Sequence, residues 1–126
     1  MLMIKPVPYD RLLELCRENG APSSMFCCEA TMDGESKGFV MFDNKAGTLM
    51  VTALCCSSDL VDALLRAGIN AGFMVGMKRF AFTTQVVELW RNTLRSLDFP
   101  LEGGDIGEFF SRGCRASRLA AGQANL

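Results

Sequence analysis

The chain has 126 residues, 49% of them apolar, and its 13 basic and 14 acidic side chains give a formal net charge of −1. This length predicts one domain with a sizeable core. The balanced charge argues against a general nucleic-acid binder, which needs a basic surface to neutralise phosphates. Three polar residues (Asp62, Arg66 and Asn70) interrupt the longest apolar stretch, residues 60–77, so we expect no membrane span. The first residues do not resemble a secretory signal, and we therefore expect a cytoplasmic, reducing location.

Six cysteines and no histidine limit the chemistry available to the chain. Without histidine, Ser–His and Cys–His nucleophilic machinery is absent. The cysteines include the pairs Cys27–Cys28 and Cys55–Cys56 but no C-x-x-C spacing, and neighbours in a strand point to opposite faces. We therefore expect no metal site and interpret the thiols as small buried hydrophobes. A thiol protein that uses the pairs for redox or metal chemistry is the alternative.

The first elements predicted are a strand and a helix. Residues 1–5 form a short apolar run that ends at Pro6, which limits this strand to an edge or an end. A helix over residues 11–19 follows, with Asp10 as its N-cap and Asn19-Gly20 as its C-terminal stop.

Three strands come next, predicted at residues 25–32, 38–42 and 48–56. Asp33-Gly34 is a strong hairpin signal, and residues 43–47 form a second turn. Such short connections predict an antiparallel meander. The third strand is apolar almost throughout, which predicts burial on both faces and a central position in the sheet.

A long helix follows the third strand, preceded by the good N-caps Ser57, Ser58 and Asp59. Gly68, Gly72 and Gly76 recur every four residues and so share one face of this helix. In a membrane that spacing favours helix dimerisation. In a chain without a span, it indicates instead a helix backbone lying close on a sheet, with Gly76 as its stop.

The last part of the chain predicts a strand, a helix and a further strand. Residues 78–84 form a strand parallel to the third strand of the meander, because the connection is a crossover helix. Residues 85–97 form an amphipathic helix whose apolar face includes Val86, Leu89 and Trp90, with Trp90 interpreted as a core anchor. Residues 106–111 are predicted as the final strand. The tail, residues 113–126, carries Arg115 and Arg118, and its expected state is a frayed terminus, with a docked helical arm as the alternative.

This order of elements resembles the GNAT superfamily of acyl-CoA N-acyltransferases. The family signature V-x-P-x-x-R-G-x-G-I-G-x-A-L-L, laid on the chain without gaps, places its V at Val51 and its A-L-L at residues 63–65, and a later Y-x-x-x-G-F segment keeps Phe99. The resemblance implies one α/β domain over residues 1–112. Its fold would have a mixed, mostly antiparallel sheet of about six to seven strands and helices on both faces.

The resemblance also implies a loop that binds the pyrophosphate of acetyl-CoA through glycine backbone and a helix N-terminus. Here Cys56 stands where the signature has a basic residue, and Asp59 and Val61 stand where it has glycines. The carboxylate of Asp59 would repel the diphosphate, and the β-branched side chain of Val61 would crowd it. Leu94 replaces the tyrosine that the family often uses as a general acid. If coenzyme A does bind, the residues at the loop are Leu54, Cys56, Ser57, Ser58, Asp59, Leu60 and Val61.

We therefore expect a GNAT-like domain that has lost normal acetyl-CoA binding and acts as a small-ligand-binding, regulatory or interaction module. A homodimer remains an open assembly state. The alternative is a divergent but active acyl-CoA-dependent N-acetyltransferase acting on an amine, with acetyl-CoA as its cofactor. In that case Glu29 is the candidate general base, and strand backbone near Leu54 would stabilise the oxyanion.

Overall fold

The structure is a computed structural model that describes residues 1–21 and 24–112. One six-stranded sheet with the order β1-β2-β3-β4-β5-β6 forms its centre. Neighbouring strands are antiparallel except β4 and β5, which are parallel, as the crossover helix predicts. The strands are β1 (Leu2–Pro6), β2 (Phe26–Met32), β3 (Glu35–Lys45), β4 (Thr48–Cys56), β5 (Arg79–Phe82) and β6 (Gly104–Asp105).

Helices cover both faces of this sheet, which confirms the mixed α/β architecture. α1 (Tyr9–Asn19) packs Leu12 and Leu15 on one face, in a small core that includes Met41. α2 (Val61–Met74) covers the other face and forms the main core there. α3 (Thr84–Ser96) adds to that main core and lies beside β4, which is central as predicted.

Two tight turns set the register of the meander. Asp33-Gly34 joins β2 to β3 as predicted, with φ of 53° and 83°. The second turn is only Ala46-Gly47, with φ of 51° and 87°, so β3 is longer at both ends than the predicted residues 38–42. Positive φ at both central residues is the geometry that keeps a two-residue hairpin in step with the strand twist.

The glycine spacing in α2 reflects close packing on the sheet, as expected for a helix outside a membrane. A Cβ at Gly68 would lie 2.3 Å from the Phe42 ring, and one at Gly72 would lie 2.5 Å from Leu49 Cδ2. Gly76 follows the helix with φ of +99°, and its N–H donates to Phe73 while the N–H of Met77 donates to Gly72. These two bonds form a Schellman C-cap.

Two predicted helix starts are wrong in detail. α1 begins at Tyr9 with Pro8 at the N-cap, so Asp10 lies inside the first turn and is not the cap. α2 begins at Val61, after a short 3₁₀ helix (Ser58–Leu60), and no side-chain hydrogen bond caps it. In both places the backbone turns into the helix without the side-chain acceptor that the sequence offers.

The predicted final strand at residues 106–111 is also wrong. Only Gly104–Asp105 pairs with β5, and residues 106–112 are helical. Asp105 Oδ1 accepts a hydrogen bond of 2.8 Å from the N–H of Glu108, and the buried residues Ile106 and Phe109 are three apart. That spacing is helical, and Asp105 is the cap that sequence inspection missed. The tail, residues 113–126, lies outside the described residues.

Candidate active site

A β-bulge divides β4 into two parts. Met41 of β3 is opposite Ala53 and Phe42 is opposite Val51, which leaves Thr52 as an extra residue. The extra residue reverses the alternation of side chains beyond it. Val51 and Leu54 therefore both contribute to the main core under α2, while Ala53 packs against the smaller core under α1.

The parallel pairing between β4 and β5 stops at the same bulge. Its last pair is Val51 with Phe82, followed by one hydrogen bond of 3.1 Å from the N–H of Thr83 to the carbonyl of Val51. β4 continues to Cys56, whereas β5 ends at Phe82 and the chain enters α3 at Thr84. The two parallel strands therefore separate, and an opening forms beside the last residues of β4.

A cavity of about 280 Å³ lies at this end of β4, and its lining comes from both faces of the sheet. From the sheet, its walls are Phe39 of β3 and the consecutive residues Ala53, Leu54 and Cys55 of β4. Of the residues that the sequence predicts for a coenzyme A site, Leu54 is the one that lines this cavity.

The other walls come from the end of α1 and the first turns of α3. Asn19 and Ala21 line one side, and Gln85, Val86, Leu89 and Trp90 line the other. Leu89 is 78% exposed, although its place on the apolar face of α3 predicts burial. That prediction is wrong because no residue within 1–21 and 24–112 covers this part of the helix.

Trp90 spans the opening between α3 and β4. Its indole Nε1–H donates a hydrogen bond of 3.0 Å to the carbonyl oxygen of Leu54. The side chain is half-buried and packs against the main core, yet it also forms a wall of the cavity. The interpretation as a core anchor is thus incomplete, because the same ring also forms one wall of the cavity.

The turn between β4 and α2 holds the remaining predicted site residues. The Ser57 hydroxyl donates to the Asp59 carboxylate, and both residues are exposed, as is Ser58. Val61 is fully buried in the main core, so its side chain does not crowd the outside of the turn as the sequence predicts. Cys56 and Leu60 also pack against that core, and burial raises the pKa of the Cys56 thiol to about 11.

Glu29 lies apart from the cavity, in an ion pair beneath α1. Its two carboxylate oxygens accept hydrogen bonds of 3.2 and 2.7 Å from Arg11, and a further one of 2.7 Å from Ser36. Glu29 is 9% exposed, and the hydrogen bonds from Arg11 lower the pKa of its carboxyl group. A carboxylate stabilised in this way is a weak proton acceptor. The geometry therefore favours a structural ion pair over a general base.

Three of the five cysteines in the described residues are buried. Cys27 and Cys28 have no more than 1% of their surface exposed, and burial raises the pKa of their thiols to about 12 and about 11. Cys55, in the cavity wall, is exposed. Within residues 1–21 and 24–112, no group of three cysteine or acidic side chains is placed to hold a metal ion. No helix in that same part of the chain is long and apolar enough to cross a membrane.

Comparison with known proteins finds likeness in structure and not in sequence. No protein-family model matches the sequence. No curated protein matches it either. Among solved structures, the chain is similar to the IAA acetyltransferase from Bacillus cereus ATCC 14579, with 14% identity, a TM-score of 0.56, and coverage of 77% of this chain and 75% of that chain.

Two further structures show the same likeness. A probable acetyltransferase from Staphylococcus epidermidis ATCC 12228 has 9% identity, a TM-score of 0.58, and coverage of 83% of this chain and 94% of that chain. AAC(6')-Iy, in complex with the bisubstrate analog CoA-S-monomethyl-acetylneamine, has 16% identity, a TM-score of 0.55, and coverage of 79% and 91%. At these identities the likeness shows the GNAT fold alone.

Proposed function

We propose that this chain is a GNAT-fold protein that binds a small ligand beside β4 and does not transfer acyl groups from coenzyme A. The observation that carries the proposal is the hydrogen bond from Trp90 to the Leu54 carbonyl. A pantetheine arm would have to pass between the separated ends of β4 and β5. The indole of Trp90 lies across that opening, and its N–H is hydrogen-bonded to the carbonyl of Leu54 there.

The position of the expected general acid supports the same proposal. Leu94, where the resemblance places a tyrosine, is fully buried in the main core and has no proton to donate. The one tyrosine of the chain, Tyr9, is 71% exposed at the start of α1 and does not line the cavity. A departing thiolate at β4 would therefore lack the usual proton donor.

The turn before α2 is a second obstacle to a coenzyme A site. The Asp59 carboxylate, which Ser57 holds by a hydrogen bond, sits next to the helix N-terminus. The helix N-terminus attracts anions because it carries a partial positive charge. A carboxylate already placed there neutralises that charge and also repels a diphosphate. Val61 adds no obstacle, because its side chain is in the core.

Calorimetry with the full chain and acetyl-CoA tests the proposal. We expect no binding at concentrations up to about 1 mM, since the opening is occupied and the turn is acidic. A dissociation constant in the micromolar range would overturn it.

Trp90→Phe keeps a ring in place but removes the N–H, and it should cost about 1 kcal/mol of unfolding free energy. Chemical denaturation of this variant measures that cost and shows whether the hydrogen bond holds α3 on β4.

A divergent but active N-acetyltransferase is the second candidate function, and one observation favours it. The N–H and carbonyl of a strand residue point to the same edge, so the amide of Leu54 points toward the opening like its carbonyl. Such an amide could stabilise an oxyanion. This function predicts that Asp59→Gly strengthens acetyl-CoA binding and turnover, whereas Glu102→Gln, which removes an exposed carboxylate from the loop before β6, changes neither.

A further inference from the structure

The cavity beside β4 has a size that limits its ligand. Its volume of about 280 Å³ is about twice that of an apolar protein cavity known to hold benzene. A bicyclic ring system of the size of naphthalene or indole therefore fills it, with room for one small substituent. A nucleotide or a peptide segment is larger than that volume and would extend beyond the cavity into solvent.

The described walls of the cavity are electrically neutral. None of the described residues that line it is charged. A ligand with a carboxylate, phosphate or ammonium group would lose its hydration there without gaining a counter-charge, which is costly. The lining therefore selects against ions and favours an uncharged molecule.

Aromatic and aliphatic surface is available on both sides. Trp90 contributes its ring from α3, and Phe39, which is only 6% exposed, forms a small part of the sheet wall. Aromatic rings gain energy beyond area burial when they contact other rings. Leu89 adds an exposed apolar side chain at the mouth, 78% of it open to solvent. A flat aromatic ligand that filled the cavity would cover Leu89, which nothing in the described residues does.

Two carboxamides give the mouth a polar side. Asn19 and Gln85 both line the cavity and are exposed. The amide nitrogen of Asn19 donates a hydrogen bond of 2.8 Å to the Leu15 carbonyl, which leaves the amide oxygen as the group of this side chain that can accept one. A neutral polar group at the outer edge of the ligand, such as a primary amide, matches these two side chains.

We infer that this cavity binds a neutral, flat, bicyclic aromatic molecule that carries one amide-like group. This inference rests on the proposed function, because it names the ligand class of the same site. The ring lies between Phe39 and Trp90, and the polar group faces Asn19 and Gln85. The dissociation constant for a minimal ligand of this size is on the order of 100 µM.

Trp90 provides the measurement. It is the one tryptophan in the chain, so its indole N–H gives a single cross-peak in a ¹H–¹⁵N spectrum of the labelled full chain. The ligand is naphthalene-2-carboxamide, and its matched control is naphthalene-2-carboxylate, which has the same shape with a charge. We expect the carboxamide to shift the Trp90 peak and the carboxylate to bind at least about tenfold more weakly.

Variants place the binding in the cavity. Cys55→Phe fills the space from an exposed wall position and should abolish the shift. Leu89→Ala should weaken binding about fivefold or more, because it removes apolar surface that the ligand covers. Met74→Ala is the control, since Met74 is 76% exposed on a helix but does not line the cavity, and it should leave binding unchanged.

Each contrary result has a distinct meaning. The inference is overturned if the Trp90 peak does not shift, if the carboxylate binds as tightly as the carboxamide, or if Cys55→Phe still binds the carboxamide. Acetyl-CoA in the same titration reports separately on the proposed function. Micromolar binding of acetyl-CoA overturns that function whatever the carboxamide does. If neither acetyl-CoA nor the carboxamide shifts the Trp90 peak, only the proposed ligand class is overturned.

Discussion

At the scale of single residues, two polar side chains hold separate elements of this protein together. Trp90 joins α3 to β4 through the Leu54 carbonyl, and Arg11 joins α1 to the sheet through Glu29. Both contacts are partly or largely screened from water. Each therefore has a measurable cost when it is removed.

Arg11→Ala tests the ion pair. It leaves the carboxylate of Glu29, which is one-tenth exposed, without its main partner, and should destabilise the protein at pH 7 by about 2–3 kcal/mol. Arg17→Ala, which removes an exposed arginine from the same helix, should have little effect. Urea denaturation of both variants and the parent chain measures the difference.

The pH dependence gives the same ion pair a signature of its own. The folded pKa of Glu29 is below the ordinary value of 4.5, mainly because Arg11 donates hydrogen bonds to it. This stabilisation is complete above the unfolded pKa and is lost as the pH falls through the folded pKa. The parent chain should therefore lose its advantage over Arg11→Ala as the pH falls below about 4.5. A constant difference between pH 7 and pH 3 would contradict this role for Glu29.

At the scale of elements, α2 packs closely on the sheet through Gly68 and Gly72. The Phe42 ring is fully buried and stacks on Phe26, with ring centroids 4.9 Å apart, so it has no room to move away from Gly68. The spacing of the glycines determines how closely the helix axis approaches the sheet. Overpacking at this contact should outweigh any gain in helix propensity.

Gly68→Ala is therefore expected to destabilise the protein by about 1–3 kcal/mol, since the added Cβ meets the Phe42 ring. Gly107→Ala is the matched control, because a Cβ there lies at ordinary distances, 3.5 Å from Asp105 and 3.8 Å from Phe73. That variant should be neutral or more stable by up to about 1 kcal/mol. Thermal unfolding of the two variants compares them directly, and equal behaviour would show that helix propensity alone decides.

At the scale of the whole molecule, the core on the two faces of the sheet accounts for the buried thiols. Cys27 contributes to the core under α1, and Cys28 to the main core under α2. Neither thiol is accessible without opening the sheet, and burial raises the pKa of each. Their reactivity should therefore report on global unfolding and not on local motion.

Maleimide labelling followed by peptide mapping tests this expectation. Cys55 should react rapidly in the folded protein, whereas Cys27 and Cys28 should react at least about a thousandfold more slowly. In denaturant, all three should react at similar rates. Fast labelling of Cys27 or Cys28 under native conditions would instead support the thiol-chemistry alternative.

Much of the fold follows from the sequence alone. The hairpin signal at Asp33-Gly34 and the four-residue glycine spacing of α2 are both realised in the structure. The apolar run of β4 correctly predicts a central strand, but the predicted burial on both faces is wrong, because one face is only partly buried and Cys55 is exposed. The resemblance to the GNAT superfamily followed from the same order of elements, and likeness to solved acetyltransferases supports it at the level of fold.

The candidate site depended on the tertiary structure. Apolar periodicity says that Leu89 and Trp90 share a face of α3, but not whether protein or empty space lies over that face. Nor does a strand glutamate reveal that an arginine eighteen residues earlier will pair with it. The bulge at Thr52, the end of the β4–β5 pairing and the cavity all arise from contacts between elements distant in the chain. The sequence therefore determined the elements and their order up to α3 but not the helix at residues 106–112, and packing decided which faces remained open.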